Sequence, residues 1–91
     1  NDQNRASEYY AGLLKDAPTD EEALDALERY YERNRQWEDL ARILLMKLER
    51  PAEKEIRVAR YLRLGLIYEE DLQDAQRAVD AYKNGVELDP N

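Results

Sequence analysis

Leu40, Leu44 and Leu48 stand four residues apart, and this three-to-four spacing of apolar side chains runs through most of the chain. Such spacing lines one stripe of an α-helix, whereas a strand sends alternate side chains to opposite faces. No stretch alternates apolar and polar residues for long enough to argue for a strand. Three Gly and three Pro interrupt the 91 residues, and strong helix formers (Ala, Leu, Glu, Arg) dominate between them. The expected fold class is all-α, with about five helices.

The first helix is expected from about Asn4 to Lys15, with Ala6, Tyr10, Leu13 and Leu14 on its stripe. "DAPTDEEAL" ends it and opens the second. Thr19 and Glu22 are spaced as a capping box, and Asp20, Glu21 and Glu22 suit the positive end of a helix. The second helix carries Leu24, Leu27 and Tyr31 and fades at "RNRQ", where Asn34 is expected to take the left-handed cap conformation. A third begins near Trp37 and stops at "ERPAEKE". Pro51 either terminates it or stands first in the fourth helix, since its missing N–H suits both places. The fourth, roughly Glu53 to Glu70, is apolar nearly all round and is expected to be packed on several sides. Asp71 or Asp74 caps the fifth, whose stripe is Ala78, Tyr82 and Val86. Short connections make neighbouring helices antiparallel.

Composition removes several function classes from expectation. There is no Cys and no His, Ser7 is the only Ser and Thr19 the only Thr. Nucleophile–base pairs, zinc sites and disulfides therefore lack their residues. Carboxylates are plentiful, but "YEEDLQD" has neither the Gly nor the ligand alternation of a calcium loop. No catalysis, metal or cofactor is expected. The formal net charge is −7, and the cations are interspersed with acids, as in "LERYYERNRQWEDLAR". Nucleic acid and anionic membrane surfaces are disfavoured as partners. No apolar run approaches the roughly 20 residues that span a bilayer, and "NDQNRASEYY" lacks the apolar centre of a signal peptide. A soluble, cytoplasmic protein is expected.

A longer period overlies the helical one. Tyr61, Leu64, Gly65, Tyr68, Ala78, Tyr82 and Pro90 spell aromatic-x-x-L-G-x-x-Y, then A-x-x-x-aromatic, then Pro. In physical terms, Gly65 and Ala78 are small where two helices of a hairpin cross closely. Tyr68 and Tyr82 fill the space beside them, and Pro90 ends the second helix. Leu24, Leu27, Tyr31, Leu40, Leu44 and Pro51 occupy the matching places of an earlier copy. Glu28, Leu40 and Lys47 depart from it where small residues are expected, so a wider helix approach is expected there. Ala6, Tyr10 and Pro18 match the second helix of a still earlier copy. Tyr10 to Leu44 is 34 residues and Leu44 to Tyr82 is 38.

This arrangement resembles the tetratricopeptide repeat, W-x-x-L-G-x-x-Y…A-x-x-x-F…P with a 34-residue period. The resemblance covers nearly the whole chain. It is strongest from Tyr61 to Pro90, with a loop one residue longer than the common form. It implies antiparallel helical hairpins stacked as a right-handed α-solenoid of about two and a half repeats in a single domain. Residues 1–18 would be the second helix of a partial repeat, with repeats at 19–51 and 52–91. Repeat units need neighbours or caps to cover their apolar faces. The chain is therefore expected to be a fragment of a longer array, or to self-associate through its uncapped terminal helices.

The resemblance further implies a protein–protein interaction module that docks a peptide or partner domain on a concave face lined by first helices. A structural spacer or self-associating scaffold with no peptide ligand is the alternative. The matching positions are Glu22, Asp25, Arg29, Glu32 and Arg33 on the second helix, and Ala59, Leu62, Arg63, Leu66 and Glu70 on the fourth. Among them Asp25, Arg29, Arg33, Leu62, Arg63 and Leu66 are the candidate partner-binding residues. Arg29 and Arg33 either form a solvated surface neutralised by Asp25 and Glu32 or grip a partner's carboxylates, which suit the guanidinium fork. Leu62 and Leu66 either belong to the core or form an apolar strip open to a ligand. One branch of the family holds acidic C-terminal tails with Lys and Asn on successive first helices. Here those places hold Asp25, Arg29, Ala59 and Arg63, so that specificity is not carried over. Trp37 and the Tyr9–Tyr10 and Tyr30–Tyr31 pairs are expected to fill gaps between helices, the other reading being exposed interface anchors.

Overall fold

The computed structural model describes residues 2–17 and 20–90, the side chains of 2 and 3 excepted. These residues form five α-helices and no strand: α1 (Asp2–Asp16), α2 (Glu21–Arg33), α3 (Trp37–Leu48), α4 (Lys54–Leu66) and α5 (Ala75–Leu88). A single π-helical turn, Ile67–Asp71, extends α4. The chain divides into two compact units, Asn1–Arg50 and Pro51–Asn91.

In the first unit α2 packs against both α1 and α3. The Tyr30 hydroxyl near the end of α2 donates to Asn4 Oδ1 near the start of α1 (2.5 Å). Arg50, just beyond α3, lies 3.3 Å from Glu21 at the start of α2. Both neighbours therefore run antiparallel to α2. The core is Leu24, Leu27, Leu40, Ile43 and Leu44, each at most 1% exposed, with Leu14, Tyr31 and Leu48 around it. Fully burying one such aliphatic side chain contributes about 1.5–3 kcal/mol.

The helix ends differ from sequence expectation by a residue at two places. The cap of α2 is Asp20, whose Oδ1 accepts from the Ala23 N–H at 3.0 Å; the expected cap, Thr19, lies outside the described residues, as does Pro18. At the other end Asn34 is not left-handed (φ −93°). Its N–H and its carboxamide both donate to the Tyr30 carbonyl, at 3.0 and 2.8 Å, which ties it to the last turn. Arg35 takes the left-handed place (φ 55°). Gln36 then donates to Tyr31 and Arg35 to Glu32 (2.9 and 3.2 Å), the paired bonds of a Schellman ending. Pro51 stands three residues before α4, in non-helical backbone, so it follows α3 and does not begin α4.

In the second unit α4 and α5 form a hairpin around Leu64, Gly65, Ile67, Tyr68, Ala78, Ala81 and Gly85. A β-carbon on Gly65 would overlap the ring of Tyr82, and one on Gly85 would stand 3.4 Å from Tyr61 Cβ. The small residues therefore set a close crossing, and Tyr82 closes over it. The buried stripe of α5 is Ala78, Ala81 and Gly85 rather than Ala78, Tyr82 and Val86: Val86 is 59% exposed. Asp74 caps α5, its Oδ1 accepting from the Arg77 N–H at 3.1 Å. Arg77 also stacks on the Tyr68 ring, 4.6 Å from its centroid. Within this hairpin α4 is covered by α5 alone, and Ile56, Leu62 and Leu66 are exposed.

Candidate functional site

On α4, Leu62 and Leu66 are one turn apart and therefore share a face. They are 45% and 48% exposed and take no part in the buried core of the α4–α5 hairpin. Ala59 continues the strip and is also exposed, Arg63 beside it is half-buried, and Glu70 is exposed within the π turn. The strip lies away from the buried Leu64–Gly65 line that meets α5. The hairpin itself thus leaves these apolar side chains in water.

On α2, Asp25, Arg29 and Arg33 follow one another at four-residue steps. Arg29 and Arg33 are exposed. Asp25 is not simply solvated: Lys47 of α3 reaches its Oδ1 at 2.5 Å and Glu28 Oε1 at 2.5 Å. The Lys47 side chain is 8% exposed, against 44% for Asp25 and 27% for Glu28. A buried ammonium needs such partners, since an unpaired charge away from water is very costly. Glu28 and Lys47 are two of the three departures from the repeat, and the structure pairs them with each other. Their opposite signs at neighbouring crossing positions were the available signal.

The aromatic residues are divided. Tyr31 is buried, and loss of hydration together with the Asp39 carboxylate pushes its phenol up, while Arg42 pulls the other way. Tyr9 is 64% exposed and meets Tyr10 edge-on, so most of its surface lies outside the helix packing. In the second unit the Tyr82 hydroxyl donates to Glu69 at 2.9 Å. Reduced hydration and then this carboxylate raise its pKa. The Arg77 backbone N–H, and then its guanidinium at 2.6 Å, hold the Asp74 carboxyl below the ordinary carboxylate range.

Among the described residues no three acidic, His or Cys side chains converge as a metal site, and no helix is long and apolar enough to cross a membrane. What the exposed faces offer is apolar contact on α4 and guanidinium groups on α2. Comparison with protein-family models, with curated proteins and with solved structures returned no match.

Proposed function

We propose that the chain is a protein–protein interaction module of the tetratricopeptide type, its hairpins stacked as a right-handed solenoid, which docks a peptide or partner domain on its first helices α2 and α4. The observation that carries this reading is the outward apolar strip of Leu62 and Leu66 beside Arg63. Large aliphatic side chains grouped on one exposed face mark interaction surfaces more often than scattered ones do. Arg29 and Arg33 add cations able to hold carboxylates of the partner.

A selection of displayed peptides on the purified chain tests it. Peptides that converge on a shared motif and lose binding to a folded Leu62→Asp, Leu66→Asp variant support the reading. Peptides that bind both forms equally, or no convergent motif, overturn it. Loss of binding in Arg29→Glu, Arg63→Glu would add the guanidinium groups to the site.

A second reading is a self-associating scaffold without a peptide ligand. It is favoured by Val79 and Val86 of α5, which are 57% and 59% exposed and seven residues apart on one face. Concentration-dependent oligomers that disappear in Val79→Lys, Val86→Lys would support it.

A further inference from the structure

α1 and α3 both pack on α2, and between them runs an open cleft of about 170 Å³. Leu27 and Tyr31 of α2 form its floor, and Leu14, Ile43 and Met46 its walls. Among the described residues its cations are Lys15 from α1 and Arg42 from α3. Because α1 and α3 run in the same direction, Lys15, in the last turn of its helix, stands at one end of the cleft. Arg42, in the first half of α3 and beside Tyr31, stands at the other. The cleft is an apolar trough with Lys15 at one end and Arg42, ion-paired to Asp39, at the other.

We infer that this cleft binds a short acidic peptide segment by seating one aliphatic side chain on Leu27 and Tyr31, with flanking carboxylates on Lys15 and Arg42. Size selects the anchor. Pockets for small organic ligands run to about 300–1,000 Å³, and this one holds roughly a single side chain. Charge selects the flanks, because Lys15 and the guanidinium of Arg42, shared with Asp39 and Tyr31, line the cleft in a chain of net charge −7. Arg42 already gives one N–H to Asp39 at 2.9 Å, but a guanidinium has five donors, and its side chain is 60% exposed. Met46 gives one wall an unbranched, adaptable side chain of the kind used on surfaces that accommodate peptides. This site is separate from the α4 strip.

The test is a methyl-detected NMR titration of the whole chain with the blocked pentapeptide Glu-Glu-Leu-Glu-Glu. Saturable shifts of the Leu14, Leu27, Ile43 and Met46 methyls are expected, with affinity falling several-fold between low salt and about 0.5 M salt. Lys15→Gln, Arg42→Gln should weaken binding about tenfold or more, and both side chains are exposed enough for the variant to fold. Ala11→Phe, which fills the cleft from α1, should abolish the shifts and serves if the double variant unfolds. Absent shifts, equal shifts from a peptide with Gly in place of Leu, or unchanged affinity in both variants would overturn the inference. Octanoate moving these methyls when the peptide does not would also overturn it, since the cleft would then be a fatty-carboxylate site. Leu62→Asp, Leu66→Asp should leave the titration unchanged; a loss there would place the peptide on α4 instead.

Discussion

Tyr82 occupies the space that a β-carbon on Gly65 would need. The ring is held from its other end by the Glu69 carboxylate, so it cannot swing aside without breaking that hydrogen bond. Gly12, by contrast, is helical with nothing within 4 Å of its missing β-carbon. Gly65→Ala gains the roughly 1 kcal/mol that Ala holds over Gly in a helix. It loses about 1–3 kcal/mol to overpacking, for a net loss of about 1 kcal/mol. Gly12→Ala keeps the gain alone and should stabilise by about 0.5–1 kcal/mol. Urea unfolding of the two variants should move in opposite directions.

Lys47 and Glu28 should be strongly coupled. Lys47→Met leaves two neighbouring carboxylates without their shared cation. With both acids partly in water, the cost is about 2 kcal/mol, below that of breaking a fully buried pair. In Glu28→Gln the same lysine substitution should cost less, giving a coupling of about 1 kcal/mol in a double-mutant cycle. Independent, additive losses would mean that the pairing contributes nothing.

The two helix caps predict separable effects. Asp20→Ala should cost about 1 kcal/mol by exposing an unpaired Ala23 N–H. Asp74 has a folded pKa below its ordinary value of 3.8. Its contribution is therefore present in full above about pH 4 and disappears as pH falls through the depressed folded value. Thermal melts between pH 7 and pH 2 should steepen their decline below pH 4, and Asp74→Asn should flatten that part of the curve.

Leu62→Ser and Leu66→Ser should each change stability by no more than about 0.5 kcal/mol, because both side chains are already exposed. A large destabilisation by calorimetry would mean that these leucines are covered in solution and would remove them as a docking strip.

The helices were legible because periodicity is a local property, and so were Gly65 with Tyr82 and the Asp74 cap. Two things were not. The nearly all-round apolar surface of α4 read as a helix packed on several sides, yet periodicity counts apolar residues without saying how many neighbours are present to cover them. Val86 consequently moved from the expected stripe of α5 to the surface, and periodicity alone could not choose between core and strip for Leu62 and Leu66. Lys47 and Glu28 read as separate departures from a repeat, since charge pairing across a hairpin needs the register of two helices. The α1–α3 cleft had no sequence signature, because Lys15, Tyr31 and Arg42 lie on three different helices.

The Lys47 bridge makes the two hairpins chemically unlike each other. The α2–α3 crossing is closed by opposite charges and the α4–α5 crossing by a glycine under a tyrosine. A hairpin of α2 with α5 would set Glu28 against Tyr82 with no cation. One of α4 with α3 would set a lysine beside Gly65 with no acid to receive it. Repeated helices of similar length are prone to exchange partners while folding, and penalising the wrong pairing is as effective as favouring the right one. A swapped pairing would therefore forfeit both the Lys47–Glu28 bridge and the fit of Tyr82 over Gly65.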